Sequence, residues 1–126
     1  AVDRDTLAPA TLHTVLFQSA CRQLLRDLSV TPDLASLAAA VGTNTKRLNE
    51  AFRKCAGVTV FEYLREERMR EAGVLLRDTA LEVQSIAQAL GFSSGANFAT
   101  AFKERFGLSP RDYRVSRDST TVQTSS

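Results

Sequence analysis

Residues 34–63, LASLAAAVGTNTKRLNEAFRKCAGVTVFEY, and residues 83–113, VQSIAQALGFSSGANFATAFKERFGLSPRDY, are two copies of one pattern. At a constant offset Leu34 aligns with Val83, Ser36 with Ser85, Leu37 with Ile86, Ala38 with Ala87 and Gly42 with Gly91. One residue is gained just after the glycine. From there Asn44 aligns with Ser94, Leu48 with Phe98, Ala51 with Ala101, Phe52 with Phe102, Gly57 with Gly107, Thr59 with Ser109 and Tyr63 with Tyr113. An extra residue is best tolerated in a turn. Each copy therefore predicts a helix, a sharp turn at the glycine and a second helix, with Ala38 and Ala87 small enough for close packing. The second helix lies across the first and keeps one face exposed, a shape that fits a DNA major groove about 12 Å wide. A helical adaptor or ligand-binding bundle built by duplication has the same geometry.

Outward from the repeat, apolar residues recur at i, i+3, i+4 and i+7, and strand-like alternation is rare. The fold class is all-α, with about seven helices. The first covers about 10–28, with Leu12, Val15, Leu16, Ala20 and Leu24 on one face. Thr31 is the expected cap of the second and Pro32 its first position, with Leu34, Leu37, Ala38 and Val41 inward. The third is capped by Asn44 and buries Leu48, Ala51, Phe52 and Cys55. Thr59 and Glu62 have capping-box spacing at the start of the fourth, which runs to about Arg77 with Phe61, Leu64, Met69, Ala72, Leu75 and Leu76 as apolar contacts. The fifth covers about 82–90, and the sixth is capped by Ser93 or Ser94. The seventh starts with Ser109 as cap and Pro110 in first place and ends near Val115. Expected divisions are a flexible segment 1–9, a first helix-turn-helix subdomain 10–57, a linker helix 58–78, a second subdomain 79–115 and a disordered tail 116–126, which lacks apolar mass.

Composition narrows the function. The chain has 126 residues and a net charge of +2. No apolar run approaches the ~20 residues that span a bilayer, and the polar start shows no signal peptide. A chain beginning without Met is expected to be a fragment or a processed product. Cys21 and Cys55 lack metal spacing and are expected as reduced, partly buried thiols. His13 is the single histidine, so no metal site or Ser/His/Asp triad is recognisable and an enzyme is not expected; no cofactor is implied. Charge is uneven: residues 44–57 carry net +3, residues 58–82 net −2 and residues 83–118 net +2. Two basic patches thus flank an acidic middle.

The two stretches LAAAVGTNTKRLNEAFRKCAGVTVFEYLREERMREAGVLL and VQSIAQALGFSSGANFATAFKERFGLSPRDYR resemble the DNA-binding domain of AraC/XylS-type bacterial transcription regulators. The second matches IAxxxGFxSxxxFxxxFKxxFGxSPxxYR, close to that family's signature, from Ile86 to Arg114. The resemblance covers about residues 10–115. It implies two helix-turn-helix subdomains joined by a long helix and double-stranded promoter or operator DNA as partner. It also implies transcription control, often activation through contact with RNA polymerase, in the bacterial cytoplasm on the nucleoid. A separate N-terminal sensor or dimerisation domain, usual in the family, is not in this sequence. GTNTKRLNEAFRK further resembles the siderophore-responsive regulators of the pyochelin and alcaligin type.

A helical wheel anchored on the third helix's buried side turns Lys46, Asn49, Glu50 and Arg53 outward, with Arg47 and Lys54 on a flank. The resemblance makes about 44–55 and 94–105 the recognition helices. It assigns Lys46, Asn49 and Glu50 to base edges, where Lys donates to guanine, Asn pairs with adenine and Glu accepts from cytosine. Arg47 and Arg53 are expected on phosphate. On the sixth helix the wheel turns Ala96, Ala99, Thr100 and Lys103 outward, with Gly95 and Asn97 near the start. Ala96, Asn97 and Thr100 are the expected base contacts, the first and last through thymine methyl groups. Ser93, Ser94, Lys103 and Arg111 are expected on phosphate. Many family members carry larger polar groups on this helix. Phe98, Phe102 and Phe106 keep core spacing. The linker helix, about 27 Å long, suits two recognition helices in successive grooves about 34 Å apart. The alternative is a helical protein-interaction module with little DNA affinity of its own.

Overall fold

The computed structural model describes residues 9–116. The expected flexible segment and tail fall almost wholly outside them; Pro9 and Ser116, at the two margins, are helical. Among the described residues there are seven helices and no strand: α1 (Pro9–Arg26), α2 (Leu34–Ala40), α3 (Thr45–Ala56), α4 (Val60–Asp78), α5 (Val83–Ala89), α6 (Gly95–Phe106) and α7, which covers 110–116. They form two compact units, Ala1–Arg65 and Glu66–Ser126, whose boundary falls inside α4. Side-chain acceptors cap α2, α3 and α6, and glycines follow the ends of α2, α3, α5 and α6.

In the first unit α1 packs along α3. Leu16, Ala20 and Leu24 of α1, Leu37 and Ala38 of α2, Leu48, Ala51 and Phe52 of α3, and Val60 and Leu64 of α4 form one buried cluster. The Phe52 ring meets Phe17 edge-on at 4.9 Å and Tyr63 at 5.5 Å. The second unit repeats this at the aligned positions. Phe102 meets Tyr113 edge-on at 5.2 Å, and Phe98 stacks obliquely on Phe92 and Phe102. Gly73 of α4 is buried, and a Cβ there would stand 3.4 Å from the Tyr113 hydroxyl oxygen. A helical glycine costs stability through backbone entropy; this one makes the seat for that tyrosine. Arg114 closes the unit by donating to the carbonyls of Leu76 (3.0 Å) and Thr79 (3.1 Å) at the end of α4, where carbonyls lack helical partners.

The two turns are built alike. Gly42 and Gly91 sit at φ 79° and 81°, left-handed conformations that favour glycine. The next amide reaches back to the helix, Thr43 to the Ala38 carbonyl at 2.8 Å and Phe92 to Ala87 at 3.0 Å. The glycine amides bond to Ala39 and Gln88, completing a Schellman motif at each turn. The Thr59–Glu62 capping box forms as expected, with bonds of 2.9 and 3.1 Å.

Three local expectations change. α2 starts two residues late, because the Asp33 carboxylate, a stronger acceptor than the Thr31 hydroxyl, caps it by accepting from the Ser36 amide at 3.1 Å. α1 stops at Arg26, because the Asp27 carboxylate accepts from the Ser29 amide and turns the chain. Phe61 is 45% exposed rather than part of the core. On α4 it lies about 100° round the helix from Val60 and about 60° from Leu64, at the margin of the buried stripe.

Candidate nucleic-acid interface

α3 is held as a platform. Its N-cap Asn44 accepts from the Arg47 amide at 2.9 Å, and Leu48, Ala51 and Phe52 are fully buried beneath it. This pins the opposite face outward. Lys46, Arg47, Glu50, Arg53 and Lys54 are all exposed, while Asn49 is half-buried on the shoulder of the helix. Four cations therefore stand around one acid. Glu50 lies 3.9 Å from His13 Nε2 on α1, a partner within the first unit. Cys55, expected in the buried stripe, is exposed. α3 ends one residue later, at Ala56, which is exposed as well.

α6 is held in the same way. Ser94 caps it, accepting from the Asn97 amide at 3.0 Å, and Phe98 and Phe102 are buried beneath. Ala96, Asn97, Thr100, Lys103 and Glu104 are exposed, at the positions that match Lys46, Arg47, Glu50, Arg53 and Lys54. Gly95 and Ala99, expected on the open face, are half-buried; Gly95 lies against Gln84 of α5. The Asn97 side-chain amide donates to the Ser93 hydroxyl, so one of its hydrogen-bonding arms is already engaged. Arg111 is exposed on α7.

Sequence reasoning did not find the strongest polar contact of this unit. Arg105, in the last turn of α6, lies against Glu66 of α4, its Nε 2.8 and 3.0 Å from the two carboxylate oxygens, with the guanidinium 4.8 Å from the Phe106 ring centre. The hydrogen bonds from Arg105 hold the Glu66 carboxyl below its ordinary range, and Glu66 in return raises the Arg105 guanidinium. The partners lie too far apart in sequence for any helical spacing to announce them. Glu104 was also missed, although the repeat itself aligns it with Lys54 on the outward face.

A repeated helix-turn-helix with an exposed second helix defines a DNA-binding class of domain. A family profile described as a helix-turn-helix domain matches residues 37–116. The chain belongs to that family, in its AraC type. It is similar to the arabinose operon regulatory protein of Escherichia coli K12, 30% identical over 66% of this chain and 28% of that protein. It is also similar to the transcriptional activator AarP of Providencia stuartii, 42% identical over 55% of this chain and 51% of that protein. The chain spans about half the length, or less, of the curated relatives it matches. An AraC-type regulator structure from Chromobacterium violaceum superposes with a TM-score of 0.76 at 26% identity, over 81% of this chain and 91% of that one. The DNA-binding domain of AdpA, solved with a target DNA, shares the fold with a TM-score of 0.77 at 24% identity, over 85% and 96%.

Proposed function

We propose that this domain binds double-stranded DNA sequence-specifically, with α3 and α6 each in a major groove, and that it serves transcription regulation by a longer protein. The observation that carries this reading is the match of exposed faces: five positions on α3 and the five aligned positions on α6 are all open, each behind the same Schellman turn. Lys46, Asn49 and Glu50 supply base contacts and Arg47 and Arg53 phosphate contacts. Ala96 and Thr100 offer methyl groups to thymine, while Asn97, expected on a base edge, has its amide turned to Ser93 and supports that hydroxyl instead. The Ser93 hydroxyl, already accepting from Asn97, is left to donate outward to a phosphate. Ser94 anchors through the free amides of the first turn, with Lys103 and Arg111 as further phosphate contacts.

The functional division runs 10–57, 58–78 and 79–115. Activation through RNA polymerase, a sensor or dimerisation domain elsewhere in the protein, and a place in the bacterial cytoplasm follow from the same reading. No described helix is long and apolar enough to cross a membrane. A siderophore-responsive role rests on the stretch GTNTKRLNEAFRK alone. Selection of preferred sites from random DNA, followed by titration at several salt concentrations, tests the proposal. A preferred sequence and a steep fall of affinity with salt are expected. Absence of both would leave a helical protein-interaction module instead.

A further inference from the structure

The open face of α6 is made of short side chains. Ala96 and Thr100 reach only one or two atoms beyond the helix backbone, whereas Lys46, Arg47 and Arg53 on α3 have long, rotatable stems. A long side chain follows its target when the helix shifts by an ångström; a methyl group loses contact. A helix that reads through methyl groups must therefore be held more firmly than one that reads through lysine and arginine.

α6 carries a charged, directional hold of this kind, where α3 is held by the apolar packing of α1. Arg105 grips Glu66 with its planar fork, a geometry that fixes orientation as well as distance. Its stem is backed by the Phe106 ring. On a helical wheel Arg105 lies toward the α4 side, about 140° from the centre of the open face, so its guanidinium braces the helix rather than faces a ligand. In α3 the aligned position is Cys55, an exposed thiol with no such reach. α1 holds α3 instead by apolar packing, Phe17 edge-on against Phe52 at 4.9 Å, with the polar approach of His13 to Glu50 at 3.9 Å beside it.

We propose that Glu66 and Arg105 are positioning residues for DNA readout by α6, setting the rotation of that helix so that its short side chains meet the bases. This rests on the reading of α6 as a groove helix. The test uses a duplex selected from random DNA and its single-base variants, with binding followed by fluorescence anisotropy and folding by circular dichroism. The proteins compared are the wild type, Glu66→Gln, Arg105→Lys and the exchanged pair Glu66→Arg with Arg105→Glu. Each single variant is expected to lose about five-fold in affinity, with flattened base preference under α6 only, an unchanged profile under α3 and an unchanged salt slope. The exchanged pair should recover most of the loss. Arg105→Lys keeps the charge and helix propensity, so it reports on the fork even where Glu66→Gln unfolds the unit. Unchanged base preference under α6, or equal loss under both helices, would overturn the proposal. So would tighter binding with a steeper salt slope, which would mean that Glu66 withholds Arg105 from phosphate. A wild type without base preference under α6 would instead overturn the groove reading itself.

Discussion

At five matched positions α3 presents Lys46, Arg47, Glu50, Arg53 and Lys54, where α6 presents Ala96, Asn97, Thr100, Lys103 and Glu104. The first face carries net +3 and the second is neutral. Beneath the surface the two units are nearly interchangeable: same turn, same cap, same edge-on tyrosine. The two copies share the parts that place a helix and differ on the face that each helix leaves open. The neutral α6 face is poorly suited to electrostatic anchoring, so the proposed DNA reading assigns the ionic share of binding mainly to α3, and shape and methyl contact to α6.

The largest effects test the shared half of this comparison. Phe52→Ala and Phe102→Ala each remove a fully buried ring and should each cost about 3–5 kcal/mol in their own unit. Hydrogen exchange resolved by residue would show the loss, in the first unit for Phe52 and in the second for Phe102. Similar costs are expected, because each ring packs edge-on against the aligned tyrosine. A cost several-fold smaller at one site would mean that the two cores are not equivalent.

That equivalence was legible in the sequence, because it rests on local rules: spacing of apolar residues, glycine at the turn, Asn44 and Ser94 three residues before the amides they cap. Local rules also erred where two of them competed. Thr31 and Asp33 are both competent caps, and only the folded chain shows that the carboxylate prevails. Of the site, the exposed face of α3 was legible because its buried side is well marked. Cys55 was placed on the wrong side of its helix, and Ala99, like the aligned Asn49, sits on the shoulder rather than the open face, because small or mildly apolar residues fit either side of a wheel. The Glu66–Arg105 and His13–Glu50 contacts were not legible at all. They join helices distant in sequence, and the pattern carries no record of which charged ends meet.

Next in size is direct readout. Asn49→Ala should lose about 1–3 kcal/mol at one base pair and little elsewhere, measured by scanning base substitutions across a selected site. Asn97→Ala, whose amide is engaged by Ser93, should instead weaken all sequences alike. If Asn97 showed the sharper base preference, its contact with Ser93 would not be what it contributes to binding. The ionic contrast comes after that. Lys46→Ala and Arg53→Ala should each reduce the slope of log affinity against log salt by about 0.9. On α6 only Lys103→Ala should do so, and Glu104→Lys should steepen the slope by adding a cation where α3 has Lys54. A shallow slope that ignores the α3 cations would break the comparison.

The smallest expected effect is that of acid on the Glu66–Arg105 pair. The pair lowers the Glu66 carboxyl below its value in the unfolded chain, chiefly through the hydrogen bonds from Arg105 and further through the charges of Arg105 and Arg70, against a burial that raises it. The folded state thus binds the proton less readily than the unfolded state. The stability contributed is complete above the ordinary glutamate value and disappears as pH falls through the depressed one. Both partners are well exposed to solvent, which screens the interaction and keeps the contribution modest. The Thr59–Glu62 capping box lowers Glu62 for a different reason, acceptance from an amide and a hydroxyl, so the first unit also loses stability in acid. Chemical denaturation between pH 6 and pH 3 separates the two. In Glu66→Gln the second unit should lose less stability over this range than in the wild type, while the first unit should respond to acid as before. A second unit whose acid response is unchanged by Glu66→Gln would mean that the bridge contributes nothing to holding α6, and would leave the two recognition helices equally free.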